Sequence, residues 1–187
     1  MAEAPSSVRI CFCKTNRANS YERAIEVWTG GPWVHAELEI PGVGRWSAFD
    51  KPVEPFCRSL RSHYDYAFEY KLTPEHAKEL HAYVLRIIAR APAYNRRDLW
   101  QCCVKLFLPL ESDLDPQTPE SWNRVFCSQA VLLALKHMLA SDMLKFSPRG
   151  SQRVHTLNSR GCSPNYLFRM LLDEHEAGRG GPAVQHW

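Results

Sequence analysis

No apolar stretch in this sequence approaches the ~20 residues that a bilayer-spanning helix needs. Met1 to Ser7 lacks the apolar core of a signal peptide, so a cytoplasmic location is expected. None of the seven cysteines stands at the Cys-x-x-Cys spacing of a zinc ribbon or a thioredoxin-like site. They read as small buried hydrophobes in a reducing compartment, without disulfides, metal or cofactor. No glycine-rich phosphate loop of either the nucleotide or the dinucleotide type is present. Arg58, Arg61, Arg86, Arg90, Arg96 and Arg97 fall near the middle but never form a run. A net charge of +3 without a basic stripe argues against nucleic acid as the primary ligand. There is no repeat, and no internal linker long enough to divide the chain.

What is present is an ordinary folding composition, 45% hydrophobic and 23% charged. At 187 residues the chain suits one domain, with a core over about 8–175 and a disordered tail over 178–187. Val8 to Cys13 reads as a short buried strand. Asn19 with Glu22 forms a capping box for a helix carrying Ala24, Ile25, Val27 and Trp28, which Thr29-Gly30-Gly31-Pro32 then breaks. From Val34 to Ile40 the residues alternate, with Val34, Ala36, Leu38 and Ile40 facing one way and His35, Glu37 and Glu39 the other. Pro41 to Gly44 is turn chemistry, so Arg45 to Phe49 is the returning strand of a hairpin. A further strand fits Tyr64 to Leu72.

Thr73-Pro74 opens a helix that runs to about Arg90. Asn95 caps another, with Leu99, Trp100, Cys103, Leu106 and Phe107 on its inner face. Pro109 to Pro119 reads as a surface loop, and Phe126 to Leu139 as a strongly apolar helix. Arg149 to Gly161 is polar and reads as irregular. Ser163-Pro164 caps a last helix through about Glu174. The expected class is α+β, a small antiparallel sheet packed against helices.

Two segments carry chemistry. In Trp33 to Ile40 a histidine sits mid-strand with Glu37 two residues on, and side chains at i and i+2 share a face. A carboxylate beside an imidazole stabilises its protonated form and fixes its tautomer, as a general base requires. The bland alternative is a solvated strand face. In Val125 to Ala130, Cys127 falls at the start of a helix apolar nearly all round. Free N–H groups and the dipole at a helix start favour thiolate and can bind an oxyanion. The bland alternative is an inert core cysteine. Cys162, just before Ser163-Pro164, is the runner-up nucleophile. His76 and His81 stand five apart on a helix, which misaligns them for one metal.

The strand His-x-Glu-Leu after a Gly/Pro turn, the hairpin to Ser-x-Phe and the later Phe-Cys-Ser-Gln resemble the permuted NlpC-type branch of papain-like cysteine hydrolases. In that branch the histidine strand precedes the cysteine helix, as it does here, and the resemblance spans roughly Val8 to Leu139. It implies a circularly permuted papain-like fold, with Cys127 as nucleophile, His35 as base and an acyl-enzyme intermediate. The orienting third residue is Glu37, matching the His-x-Glu form of viral and some bacterial members, or Ser47 on the returning strand. Tyr94 of Ala93-Tyr94-Asn95 occupies a position that borders the site in this branch. With Trp33 and Gln129 it makes up the expected substrate contacts, although Gln129 stands where several relatives carry Glu. The implied substrate is a peptide, amide or isopeptide. Lecithin-retinol-acyltransferase-like proteins and desumoylating isopeptidases share the His-then-Cys order, but carry Asn-Cys where this chain has Phe-Cys. A lipid-directed thioesterase or acyltransferase and a non-catalytic module are the alternatives.

Overall fold

The computed structural model describes residues 7–16, 19–48, 56–58, 64–90, 93–94, 113–118, 124–177 and 183–186, of which 56–58, 93–94 and 183–186 are described by backbone alone. Strand β1 (Ser7–Lys14) leads into helix α1 (Ser20–Thr29), then β2 (Trp33–Ile40), β3 (Gly44–Ala48), β4 (Phe56–Arg58) and β5 (Tyr66–Lys71). Helix α2 (Pro74–Arg90), β6 (Ala93–Tyr94), β7 (Arg124–Val125) and α3 (Cys127–Ala140) follow. Helix α4 (Pro148–Thr156), a 3-10 turn at Ser159–Gly161, α5 (Pro164–Glu176) and β8 (Ala183–His186) complete the order. The architecture is α+β, a six-stranded sheet in the order β4-β3-β2-β1-β5-β8 with every described pair antiparallel.

Register sorts the sheet into two faces. Ile10 lies opposite Leu38 on one side and Phe68 on the other, and Phe12 opposite Ala36 and Tyr66. These residues, with Trp46 and Ala48 of β3, form one wall of the core. Leu80, Tyr83, Val84 and Ile87 of α2 and most of α3 pack within the same cluster. Burial on that scale contributes about 25 cal/mol per Å² of apolar surface, which explains why α3 tolerates no polar stripe. The other face carries Arg9, Cys11 and Cys13 opposite Glu39, Glu37 and His35.

The alternation expected from Val34 onward is interrupted. Cys13 pairs with His35 but Lys14 pairs with Trp33, so Val34 is the extra residue of a bulge. Val34 therefore leaves the company of Ala36 and packs with Ile25 and Phe126. The same bulge swings the Trp33 ring into the core, where it stacks on Phe168 at 4.4 Å.

Two expectations give way. Arg149 to Gly161 is not irregular, because Ser147 caps α4 by accepting from the Gly150 N–H at 3.0 Å. Glu174 of α5 in turn accepts the Ser147 hydroxyl at 2.7 Å. Val154 is the one buried apolar residue of α4, so periodicity carried no signal. The tail is not wholly unstructured, since β8 pairs with the open edge of β5. A short parallel pair, β6 with β7, sets Tyr94 opposite Val125 and had no sequence signature. The helix expected after Asn95 lies outside the described residues. Among the described residues no helix is long and apolar enough to cross a membrane. No three His, Cys, Asp or Glu gather there at metal-binding distances, and Cys11, Cys13, Cys127 and Cys162 form no disulfide.

Candidate active site

The turn into β2 is fixed from a distance. Gly30 closes α1 in the left-handed region, at φ 69°, which glycine alone adopts at no steric cost. A Cβ on Gly31 would collide with the Asn165 amide. That amide, from the first turn of α5, accepts the Trp33 N–H at 3.0 Å and donates to the Trp33 and Gly31 carbonyls at 2.8 and 2.9 Å. Both backbone groups of the first β2 residue are thus held by one side chain, two residues before His35.

His35 and Glu37 share the polar face, and Nε2 of His35 lies 3.2 Å from Oε1 of Glu37. The other carboxylate oxygen, Oε2, lies 2.6 Å from Nε of Arg45. Arg45 sits in β3 opposite Glu39, so it reaches Glu37 on the diagonal. Its guanidinium lies over the Tyr64 ring at 5.5 Å. The carboxylate of Glu37 is fully buried, a state that a charge reaches only when paired.

Cys127 is the first residue of α3, after Phe126 in extended conformation. Gln129 accepts the Phe126 N–H at 3.3 Å and donates to Ser159 at 3.5 Å. The Ser128 hydroxyl donates to the Cys162 carbonyl at 2.6 Å, so the helix start is pinned from behind. The described β2–β3 ladder runs from Ile40↔Gly44 to Leu38↔Trp46. Beyond it, the Ser47 hydroxyl donates to the Ala36 carbonyl at 2.6 Å. The N–H of a strand residue points to the same edge as its carbonyl, and the Ala36 N–H is turned toward the Cys127 sulfur. The Ser128 N–H and the His35 ring also hydrogen-bond that sulfur.

Electrostatics follow from this cradle. Burial opposes a charge on Cys127, but the His35 cation and the two backbone N–H groups outweigh it and hold the thiol below its ordinary value. Burial likewise opposes charge on His35, while the Cys127 thiolate and then Glu37 push it up to about 9. Both shifts favour the thiolate–imidazolium form of the pair over thiol and neutral imidazole. Burial drives the thiols of Cys162 and Cys11 the other way, so both stay neutral.

The structure thus brings Cys127, His35 and Glu37 together. Ser47 commits its proton to Ala36 and braces the strand. Trp33 and Gln129 turn inward, one stacked in the core and the other capping α3, so neither lies open to a substrate. Tyr94 is placed by its backbone across from Val125, two residues before Cys127. Arg45 and Asn165 were missed. Arg45 was within reach of sequence, since a hairpin turn at 41–43 sets it opposite Glu39, whereas nothing local links Asn165 to Trp33. Cys127 exposes 1% of its surface and His35 7%, so the sulfur is closed over in this conformation. Comparison of the chain with family models, curated proteins and solved structures finds no match.

Proposed function

We propose that this protein is a cysteine hydrolase of the permuted papain-like kind, cleaving an amide, peptide or isopeptide bond through an acyl-enzyme on Cys127. The observation that carries this reading is the hydrogen-bonded Cys127–His35 pair at a helix start, with Glu37 Oε1 3.2 Å from His35 Nε2. In the first half-reaction the thiolate attacks the acyl carbon. The carbon–nitrogen bond breaks, and the imidazolium passes its proton to the departing amine. Water then attacks the thioester while His35 takes its proton, releasing the acid and restoring the thiolate. The Ser128 N–H, and the Ala36 N–H beside it, are positioned to share the oxyanion's charge once sulfur becomes neutral.

Mass spectrometry after incubation with a panel of peptidyl and lipid acyl electrophiles tests this reading. Selective modification of Cys127, lost in His35→Ala, is expected, and the preferred acyl group separates a peptidase from a lipid-directed acyltransferase. Labelling spread over the other cysteines at equal rates would overturn it. The burial of Cys127 favours a second reading, a binding module in which the ion pair is internal glue. That reading requires Cys127 to stay unmodified in the folded protein.

A further inference from the structure

We propose that Arg45 is a positioning residue of this site, its guanidinium balancing the buried Glu37 carboxylate so that Cys127 can carry negative charge. The inference rests on the hydrolase reading and deepens it. Four ionisable groups run in a line: Cys127, His35, Glu37 and Arg45, with contacts of 3.2 Å at His35–Glu37 and 2.6 Å at Glu37–Arg45. Their charges alternate, two negative and two positive, and cancel. A buried cluster tolerates this arrangement because no net charge is taken out of water.

Removal of the guanidinium changes which protonation state is neutral. Thiolate, imidazolium and carboxylate then leave one net negative charge in a closed pocket. Neutrality returns if one proton is added to sulfur or to the Glu37 carboxylate, and the thiolate, ordinarily the far stronger base, takes it. Arg45 thereby acts on Cys127 through two intervening groups without touching it.

Among the described residues, the groups around Glu37 supply no substitute cation. Cys11 of β1 lies between Glu37 and Glu39 and is neutral, driven up by burial and by both carboxylates. Burial likewise keeps the Tyr64 phenol uncharged. Arg9, another guanidinium on this face, is shared between Glu69 at 3.1 Å and Glu39 at 3.7 Å. Lysine in place of Arg45 would keep the charge, although it loses the rigid fork.

The test is the rate of alkylation of Cys127 by iodoacetamide as a function of pH, with the modified residue located by mass spectrometry. Wild type is expected to show its acid limb below the ordinary thiol range. In Arg45→Met that limb should move up by about one unit, seen as roughly a fivefold slower reaction at the wild-type midpoint and about tenfold slower well below it. Arg45→Lys should stay near wild type. An unmoved limb in Arg45→Met, even with a lowered melting temperature, overturns the inference. Should that variant not fold, Arg45→Gln, neutral but still able to donate to Glu37, takes its place. A raised midpoint in Arg45→Gln supports the role, and an unmoved midpoint refutes it. Wild type that fails to react at Cys127 at any pH defeats the hydrolase reading itself, a result distinct from an unmoved limb.

Discussion

The His35 ring serves both Cys127 and Glu37, and pH separates the two parts of its work. Alkylation needs only thiolate, so its rate should rise through the lowered value of Cys127 and stay level in alkali. Acyl transfer also needs imidazolium to protonate the leaving group. Its rate should fall as pH rises through about 9, where His35 loses its proton. Parallel profiles for the two reactions would contradict this division. Glu37→Gln removes the carboxylate at 3.2 Å from the ring and leaves Arg45 repelling the cation. The alkaline limb of acyl transfer should shift down by about a unit or more. Ser47→Ala should leave that limb in place, because its hydroxyl serves the Ala36 carbonyl. Its cost should appear instead in denaturant unfolding, at about 1–3 kcal/mol for a buried acceptor left without its donor. A reversed order of effects would return the orienting role to Ser47.

At the level of elements, the legible parts were those that state their own boundaries. Asn19, Thr73-Pro74 and Ser163-Pro164 mark helix starts chemically, and α1, α2 and α5 begin there, although Glu22 accepts the Asn16 N–H instead of closing a capping box on Asn19. The pairing of a strand histidine with a helix-start cysteine was also readable, since each residue's place in its element fixes its direction. The β2 bulge was hidden, because Val34 is as apolar as the residues with which it falls out of step. Helix α4 was hidden because a carboxylate from α5 supports its start. Asn165 was hidden for the same reason, its partner Trp33 lying 132 residues away. Asn165→Leu keeps the size of the side chain but strands both backbone groups of Trp33. Unfolding in urea should show a loss of about 2–4 kcal/mol. The surviving folded protein should alkylate Cys127 more slowly, because the β2 entry is no longer fixed. Wild-type stability in that variant would refute the staple.

Across the whole molecule, polar contacts are sorted by depth. Lys136 of α3 is buried and gives its ammonium to Asp113 at 2.5 Å and to the Leu157 carbonyl at 2.6 Å. Asp113 also accepts from the Ser159 N–H at 3.0 Å, so this knot ties the far side of α3 to the 3-10 turn. Arg153 and Asp173 lie equally close, 2.5 Å, but on the surface. Lys136→Met should cost about 2 kcal/mol or more, and Arg153→Met less than about 1 kcal/mol, measured by chemical denaturation. Equal losses would show that depth does not govern these contacts. The Asn165 staple has a consequence in time as well as in space. Translation supplies residues at about 5–20 per second, and domains take shape as their segments emerge. A nascent chain that has reached the end of α3 already holds His35 and Cys127, yet it lacks the amide that sets the strand entry. On the proposed reading, the strand entry beside His35 is therefore fixed only when α5 has been made and docked.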